Sequence, residues 1–540
     1  MAPRSSTDHK GSARLYRVTA APAAAFLLFG CAVGPNFERP AAPTEAGFAP
    51  RPLPGTTVAA AAYGGAAQRF LPGQDIPFDW WTTFKCPQLN SLVEKALRAN
   101  PTIEAAKATL KQAQELVYAQ QGYFFPTVSA SYNLERQKLA GNLSGSSAPG
   151  VQGNGAAITA FQNPNPNPPP HNKPLFFNFH TTELDVSYNP DVFGSNRRQV
   201  ESLEAQADMQ RFELEAAYIT LASNVVAAAI QEVNTRAQIA ATEKIIDFNK
   251  KSLEILRNQQ NYGQAMGIDA AAQEAALAAV EQTLPPLQKQ LEQTRDLIRA
   301  LVGNLPNEDV DEKFTLSSLH LPEDLPVSLP SKIIEQRPDV RAAEEQMRSA
   351  NANVGAAIAA RLPQFTLTGT NGLTATSFLQ MFYPGAGYWT LTGNIAQPLF
   401  DAGTLLHKER AADEALVQSA AQYRSTVITA FQNVADTLHA LLSDADSLKA
   451  AAAAEHAAKV TLDLTQKQSQ VGYVNYLTLL SAEQAYQTAL INLVQAQASR
   501  FGDTAALFQA LGGGWWNRRE LAMGDEENSS SPSQSRAKAP

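Results

Sequence analysis

Residues 100–131 read NPTIEAAKATLKQAQELVYAQQGYFFPTVSAS, and residues 337–368 read RPDVRAAEEQMRSANANVGAAIAARLPQFTLT. Pro101 and Pro126 stand 25 positions apart, and so do Pro338 and Pro363. Between each pair the apolar positions form one seam: Ile103, Ala106, Leu110, Ala113 and Val117 in the first copy, Val340, Ala343, Met347, Ala350 and Val354 in the second. A 3-4-3-4 spacing is the left-handed coiled-coil period, and alanines on it let neighbouring helices approach closely. After the second proline the period drops to two. Val128, Ala130, Tyr132 and Leu134 alternate with Thr127, Ser129, Ser131 and Asn133, and Phe365 and Leu367 alternate with Thr366 and Thr368. Proline removes a backbone donor and clashes with the preceding turn, so the helix stops there; the alternation predicts a two-faced strand. A duplicated switch from helix to strand decides the fold.

The duplication runs on in both directions. A second strand follows in each half, with Leu184, Val186 and Tyr188 alternating in the first and YWTLTGNI (388–395) as its counterpart. Strands of about ten residues can cross a bilayer at a tilt. The loop between them is long and polar in the first half (140–173) and shorter in the second (about 370–386). Gly194 lies 69 residues before Gly263, and Gly403 lies 69 before Gly472. The intervening stretches are nearly free of proline and glycine and predict helices roughly 100 Å long. Each ends in a turn, NYGQAMGID (261–269) or QVGYVNYLT (470–478), followed by a returning helix. Pro285-Pro286 predicts a break in the first returning helix.

At 540 residues the chain exceeds one ordinary core. Charged residues are 17%, the formal charge is −8, and no basic tract marks a nucleic-acid partner. Two cysteines, Cys31 and Cys86, build neither a disulfide framework nor a Cys-rich metal site, and the seven histidines show no ligand spacing. Arg4, Lys10, Arg14 and Arg17 precede the apolar run VTAAPAAAFLLFG (18–30), which has the layout of a secretory signal. No later segment has eighteen continuous apolar residues, so any membrane crossing falls to strands. The LFGC at 28–31 resembles a bacterial lipobox, which implies that Cys31 is lipidated and becomes the first residue; a plain signal with an incidental cysteine is the alternative. Removing four basic residues and Asp8 takes the formal charge from −8 to −11. Residues 32–80, rich in Pro, Ala and Gly, read as an extended arm.

Taken together these segments resemble the TolC-like outer-membrane factors, and among them the NodT-type efflux lipoproteins. The resemblance rests on CAVGPNF (31–37), WWTTFKCPQLNSLVEKALRANPTI (80–103), FFPTVSAS (124–131), PDVFG (190–194), RPDVRAAE (337–344), QPLFDAG (397–403) and NYLTLLSAE (475–483). It implies an internally duplicated α+β membrane protein with four transmembrane strands per chain. Three copies would close a twelve-stranded barrel, continued by an α-barrel tunnel of long coiled-coil helices. Four strands cannot close a barrel alone, and open edges are not tolerated in lipid, so oligomerisation is required on physical grounds too. The segments then read as signal peptide (1–30), lipidated arm (31–85), first repeat (86–305), linker (306–336), second repeat (337–516) and disordered tail (517–540).

The implied function is a passive, gated exit duct in the outer membrane, serving a periplasmic adaptor and an inner-membrane transporter of the RND type, with no cofactor. A protein-secretion duct of the same fold, or an adaptor lipoprotein, are the other readings; the sequence does not name a substrate. No P-loop, nucleophile elbow or zinc motif suggests an enzyme, and acids such as Glu344-Glu345 read as solvated helix faces. By the resemblance, the gate and docking site fall at the two turns: Gly263 and Asp269 in the first, Gly472, Val474, Asn475, Tyr476 and Leu477 in the second. Asp269 alternatively caps the returning helix, and Val474 stands where relatives carry an aspartate. Tyr132, Phe177, Phe179, Phe382, Tyr383 and Trp389 suit membrane-interface belts, or else pack in loops.

Overall fold

A computed structural model describes residues 32–41, 47–50, 52–139 and 175–518. The signal segment, Cys31, the 140–173 insertion and the tail after residue 518 lie outside the described residues. Strand β1 (Arg69–Pro72) leads into helices α1 (Pro87–Ala99) and α2 (Pro101–Gln121), then strands β2 (Thr127–Leu139) and β3 (Leu175–Tyr188). Helices α3 (Ser195–Asn261), α4 (Gly267–Glu281) and α5 (Leu284–Leu301) follow, then β4 (Asp324–Val327) and α6 (Pro330–Gln336). The second copy is α7 (Pro338–Ala360), β5 (Gln364–Ala375), β6 (Gly387–Ala396), α8 (Thr404–Gln470) and α9 (Tyr476–Ala510). The long helices α3 and α8 are each 67 residues. Each starts from a carboxylate that collects backbone donors: Asp191 accepts from the amides of Asn196 and Arg197, Asp401 from those of Gly403 and Leu405. The predicted break falls at Gln282 and Thr283, with the two prolines in the first turn of α5, where their missing donors cost nothing.

The chain divides into two compact units. The unit built on residues 113–207 and 347–419 holds one antiparallel sheet in the order β2-β3-β5-β6. Its register sets Val128 opposite Val186, Val186 opposite Gly369 and Gly369 opposite Leu391. Because strand side chains alternate, that row and its even neighbours place Leu134, Leu184, Leu367, Trp389 and Ile395 on one face, all exposed. The other face carries Ser129, Ser131, Glu183, Asp185, Thr368, Thr370, Thr390 and Thr392.

The other unit holds the helices of residues 208–346 and 420 onward, with the arm from Arg39 and α1. The seam of α2 is legible in its burial: Ile103 and Val117 are buried, Ala106, Leu110 and Ala113 partly so, and their immediate neighbours are exposed. The most apolar stretch of α3 is long enough to cross a membrane by length and composition, but most of it is buried within the protein.

Three parts of this unit differ from the sequence reading. The arm is not merely extended: Ile76, Trp80, Trp81 and Phe84 lie in the main core, Trp80 stacked on Phe508 with ring centroids 5.2 Å apart. Arg500, fully buried on α9, holds this segment by donating to the Ala66 carbonyl at 2.7 Å and the Thr57 hydroxyl at 2.9 Å. The 306–336 linker is likewise core, because β4 pairs in parallel with β1 and Phe314, Leu319, Leu325 and Ile333 are fully buried. Glu344 and Glu345 are not a solvated face either. Both are buried, and Glu344 is ion-paired with Arg39 at 2.9 Å and Arg341 at 2.8 Å; Arg39, 305 positions upstream, supplies a charge that the local pattern could not reveal.

Where the copies join end to end, each uses a side chain to cap a helix. The Asn100 amide donates to the Leu301 carbonyl at 2.8 Å, closing the end of α5 beside the start of α2. In the second copy the Arg337 guanidinium donates to the Ala510 carbonyl at 3.0 Å, closing α9 beside α7. Both satisfy orphan carbonyls of a helix C-terminus.

Candidate functional site

The two long helices end in the same turn. After α3, the Gly263 amide donates to the Gln260 carbonyl and the Gln264 amide to the Gln259 carbonyl; after α8, Gly472 bonds to Ser469 and Tyr473 to Gln468. This paired pattern is the Schellman motif, which needs a left-handed residue at the glycine. Gly263 has φ +72° and Gly472 has φ +77°, as that geometry demands.

The returning helices start differently. Asn475 caps α9, its side-chain Oδ1 accepting from the Thr478 amide at 2.9 Å and the Thr478 hydroxyl at 2.7 Å. Met266 holds the equivalent place before α4 and makes no side-chain cap. Asp269 is therefore not the cap: it is the third helical residue, half-buried, where its charge complements the helix dipole. Around the turns Tyr262, Met266, Ile268, Val471, Tyr473 and Leu477 are exposed, while Val474 and Tyr476 are half-buried. The Tyr476 hydroxyl donates to Gln273 on α4, and the Gln273 amide donates to the Asn249 side chain on α3 at 2.9 Å. This chain ties the second hairpin (α8–α9) to the first (α3–α4). Burial pushes the Tyr476 phenol pKa up, and the nearby Glu483 and Asp269 carboxylates add to it.

In the sheet unit, the aromatic residues sort by face and end. Tyr132 hydrogen-bonds His180 at 2.8 Å, Phe378 sits edge-on to Tyr132, and Phe382 edge-on to Phe378. Tyr383 and Trp389 are exposed nearby in sequence. Phe179 departs from this set: it pairs with Glu135, alternation puts it on the opposite face, and it is buried. The side chain of Phe177 lies outside the described residues. Sequence reading missed His180 and Phe378. It also missed the exposed Phe125 and Phe400 at the other end, whose only signal was their place in the FFP motif before β2 and the PLF motif after β6. On the polar face the Thr370 hydroxyl donates to Asp185 at 2.6 Å and the Tyr388 hydroxyl to Glu183.

The residues just after Cys31 are clamped in the same unit. Arg198, buried on α3, donates to the Val33 carbonyl at 3.1 Å, the Gly34 carbonyl at 3.1 Å and the Asn36 side chain at 3.0 Å. Gly34 packs on Gly355 so closely that a Cβ there would come 2.5 Å from the Gly355 Cα. Cys86 is fully buried.

Two long-helix hairpins with matching turns and a two-faced strand pair in each half make a specific pattern. The model of the family described as outer membrane efflux protein matches residues 92–304 and 329–513. The chain belongs to that family. This efflux protein is 27% identical over 503 residues to the probable efflux pump outer membrane protein TtgC of Pseudomonas putida, covering 92% of this chain and 95% of the relative. It is 27% identical over 498 residues to the cation efflux system protein CusC of Escherichia coli, covering 91% and 97%. Among solved structures it resembles the CmeC outer membrane channel of Campylobacter jejuni, with TM-score 0.76 at 21% identity, over 93% of this chain and 98% of that one. That likeness is one of fold.

Proposed function

We propose that this efflux protein is the passive, gated exit duct of a tripartite pump, carrying small molecules from an inner-membrane transporter and a periplasmic adaptor through the outer membrane. The observation that carries this reading is the sheet. It is apolar and exposed on one face and polar on the other, and β2 and β6 have no further strand beside them among the described residues. Such a sheet is stable in lipid only when its edges are closed. Three copies give twelve strands, with the valine and leucine rows toward lipid and the serine, threonine and acidic rows toward a water-filled bore. The aromatic cluster of Tyr132, Phe378 and Phe382 then marks one interface, and Phe125 and Phe400 the other.

Lipidation at Cys31 supplies a second anchor, and the Arg198 clamp supports it by fixing the backbone that follows. The exposed apolar side chains at the turns give an adaptor a surface to grip, and Gly263 and Gly472 set its geometry. Nothing in this mechanism consumes a cofactor; the driving force is the partner transporter's. The detergent-extracted protein should scatter light as three protomers after correction for bound detergent, and should conduct ions in planar bilayers. A soluble monomer without β-sheet circular dichroism refutes the duct.

A further inference from the structure

The duplication offers a comparison inside one chain. Glu274 on α4 and Glu483 on α9 occupy matching places, each eleven residues past the turn glycine. Glu274 is exposed and ion-paired with Arg257 of its own hairpin at 3.2 Å. Glu483 is only 6% exposed, and neither of its carboxylate oxygens has a hydrogen-bond partner among the described residues. It sits where the second hairpin packs on the first, beside the cluster of Leu462, Leu479 and Ala482 that meets Phe248 of α3. A buried, unpaired carboxylate is among the most costly groups a protein interior can hold. The site therefore favours a neutral acid.

Among the described residues no cation acts on Glu483. On its own helix the neighbour coupled to Glu483 is Tyr476, and on α4 Asp269 reaches the same phenol. From α8, Glu455 and Asp463 face Tyr486, the next tyrosine along α9. From α3 the Ser252 hydroxyl approaches and favours the charged form, without closing a hydrogen bond. Every titratable group named here is an acid or a phenol.

We infer that Glu483 is a protonation latch on the turns: neutral, it lets the two hairpins pack together, and ionised, it favours their separation so that the carboxylate reaches water. The inference rests on the duct reading for its consequence, the loosening of the entrance, but not for its chemistry. Burial pushes the Glu483 pKa up to about 7 from an ordinary 4.5. A raised acid pKa means that the packed state holds a proton which the separated state releases. The packing is fully stabilised below the ordinary value, weakens as pH climbs between the two, and has lost that contribution above about 7. Asp444, beside Asp503 at the other end of α9, is pushed up to about 7 by burial and by its neighbour, so the readout has to be local.

Hydrogen exchange of the intact, detergent-extracted protein at about pH 5 and about pH 7.5 supplies that readout. After correction for intrinsic exchange, segments 245–256 and 476–486 should open roughly 100-fold more at the higher pH, near tenfold per unit across the window. Glu483→Gln should hold both segments at the acid level of protection at either pH, and Glu274→Gln should follow the wild type. A wild type without local change, or a Glu483→Gln variant that still follows the wild type, overturns the latch. Conductance of the same preparations separates the two readings, since turns that loosen in a protein passing no current would uphold the latch and overturn the duct.

Discussion

Asn475 and Met266 hold the same place in the two copies and do different work. Asn475 satisfies an orphan amide at the start of α9, so Asn475→Ala should cost about 1 kcal/mol, while Met266→Ala should leave that helix start unchanged. Local exchange of the first turns of α9 and α4 checks both. Arg198→Ala removes several charge-assisted bonds to the segment after Cys31, each worth about 1.5–3 kcal/mol. Limited proteolysis should then cut within residues 32–38 well before the core unfolds. Asp269 teaches why sequence alone left its role open: a cap and a third-position acid differ by a shift of three residues in where the helix begins, and both are favourable. The choice is made by the backbone at Met266, which enters the helix from an extended conformation and closes the first turn with the Asp269 amide.

At the level of elements, the sequence disclosed what is periodic and hid what is not. The seams of α2 and α7, the proline stops, the break before Pro285 and the two 67-residue helices all follow from local spacing. The docking of residues 57–84 does not, because its anchors, Arg500 and Phe508, lie more than 400 positions away and the arm itself has no period. For the same reason β1 and β4, four residues each, were invisible until paired. Trp80→Ala should therefore destabilise the helical core by about 3–5 kcal/mol, read as a fall in the thermal midpoint of helix ellipticity. At the turns, Gly472→Val forces a β-branched residue to φ +77° and should cost about 1–2 kcal/mol, fraying α8 where it ends.

For the whole molecule, the decisive feature is that one sheet carries an exposed apolar face and a polar face. Leu391 is 78% exposed on the apolar face and Thr390, its neighbour, lies on the polar one. If the proposed duct is inserted through this sheet, Leu391→Arg should lower stability in the membrane by about 2–4 kcal/mol, and Thr390→Arg should leave it nearly unchanged while altering conductance. Chemical denaturation in liposomes, paired with single-channel recording, distinguishes the two. The split between the positions was legible from alternation alone; the inward turn of Phe179 was not, because aromatic residues suit either face until the register is known.

The equal length of α3 and α8 makes the pair a vernier. Lengthening one alone by a single residue would slide its turn about 1.5 Å along the axis and swing it by about 100°, pulling the Tyr476–Gln273–Asn249 bridge out of line. A length change that keeps this bridge therefore has to be made in both copies together. A change in helix length then needs two compatible insertions at once, so that length should be among the slowest-drifting properties of such a chain.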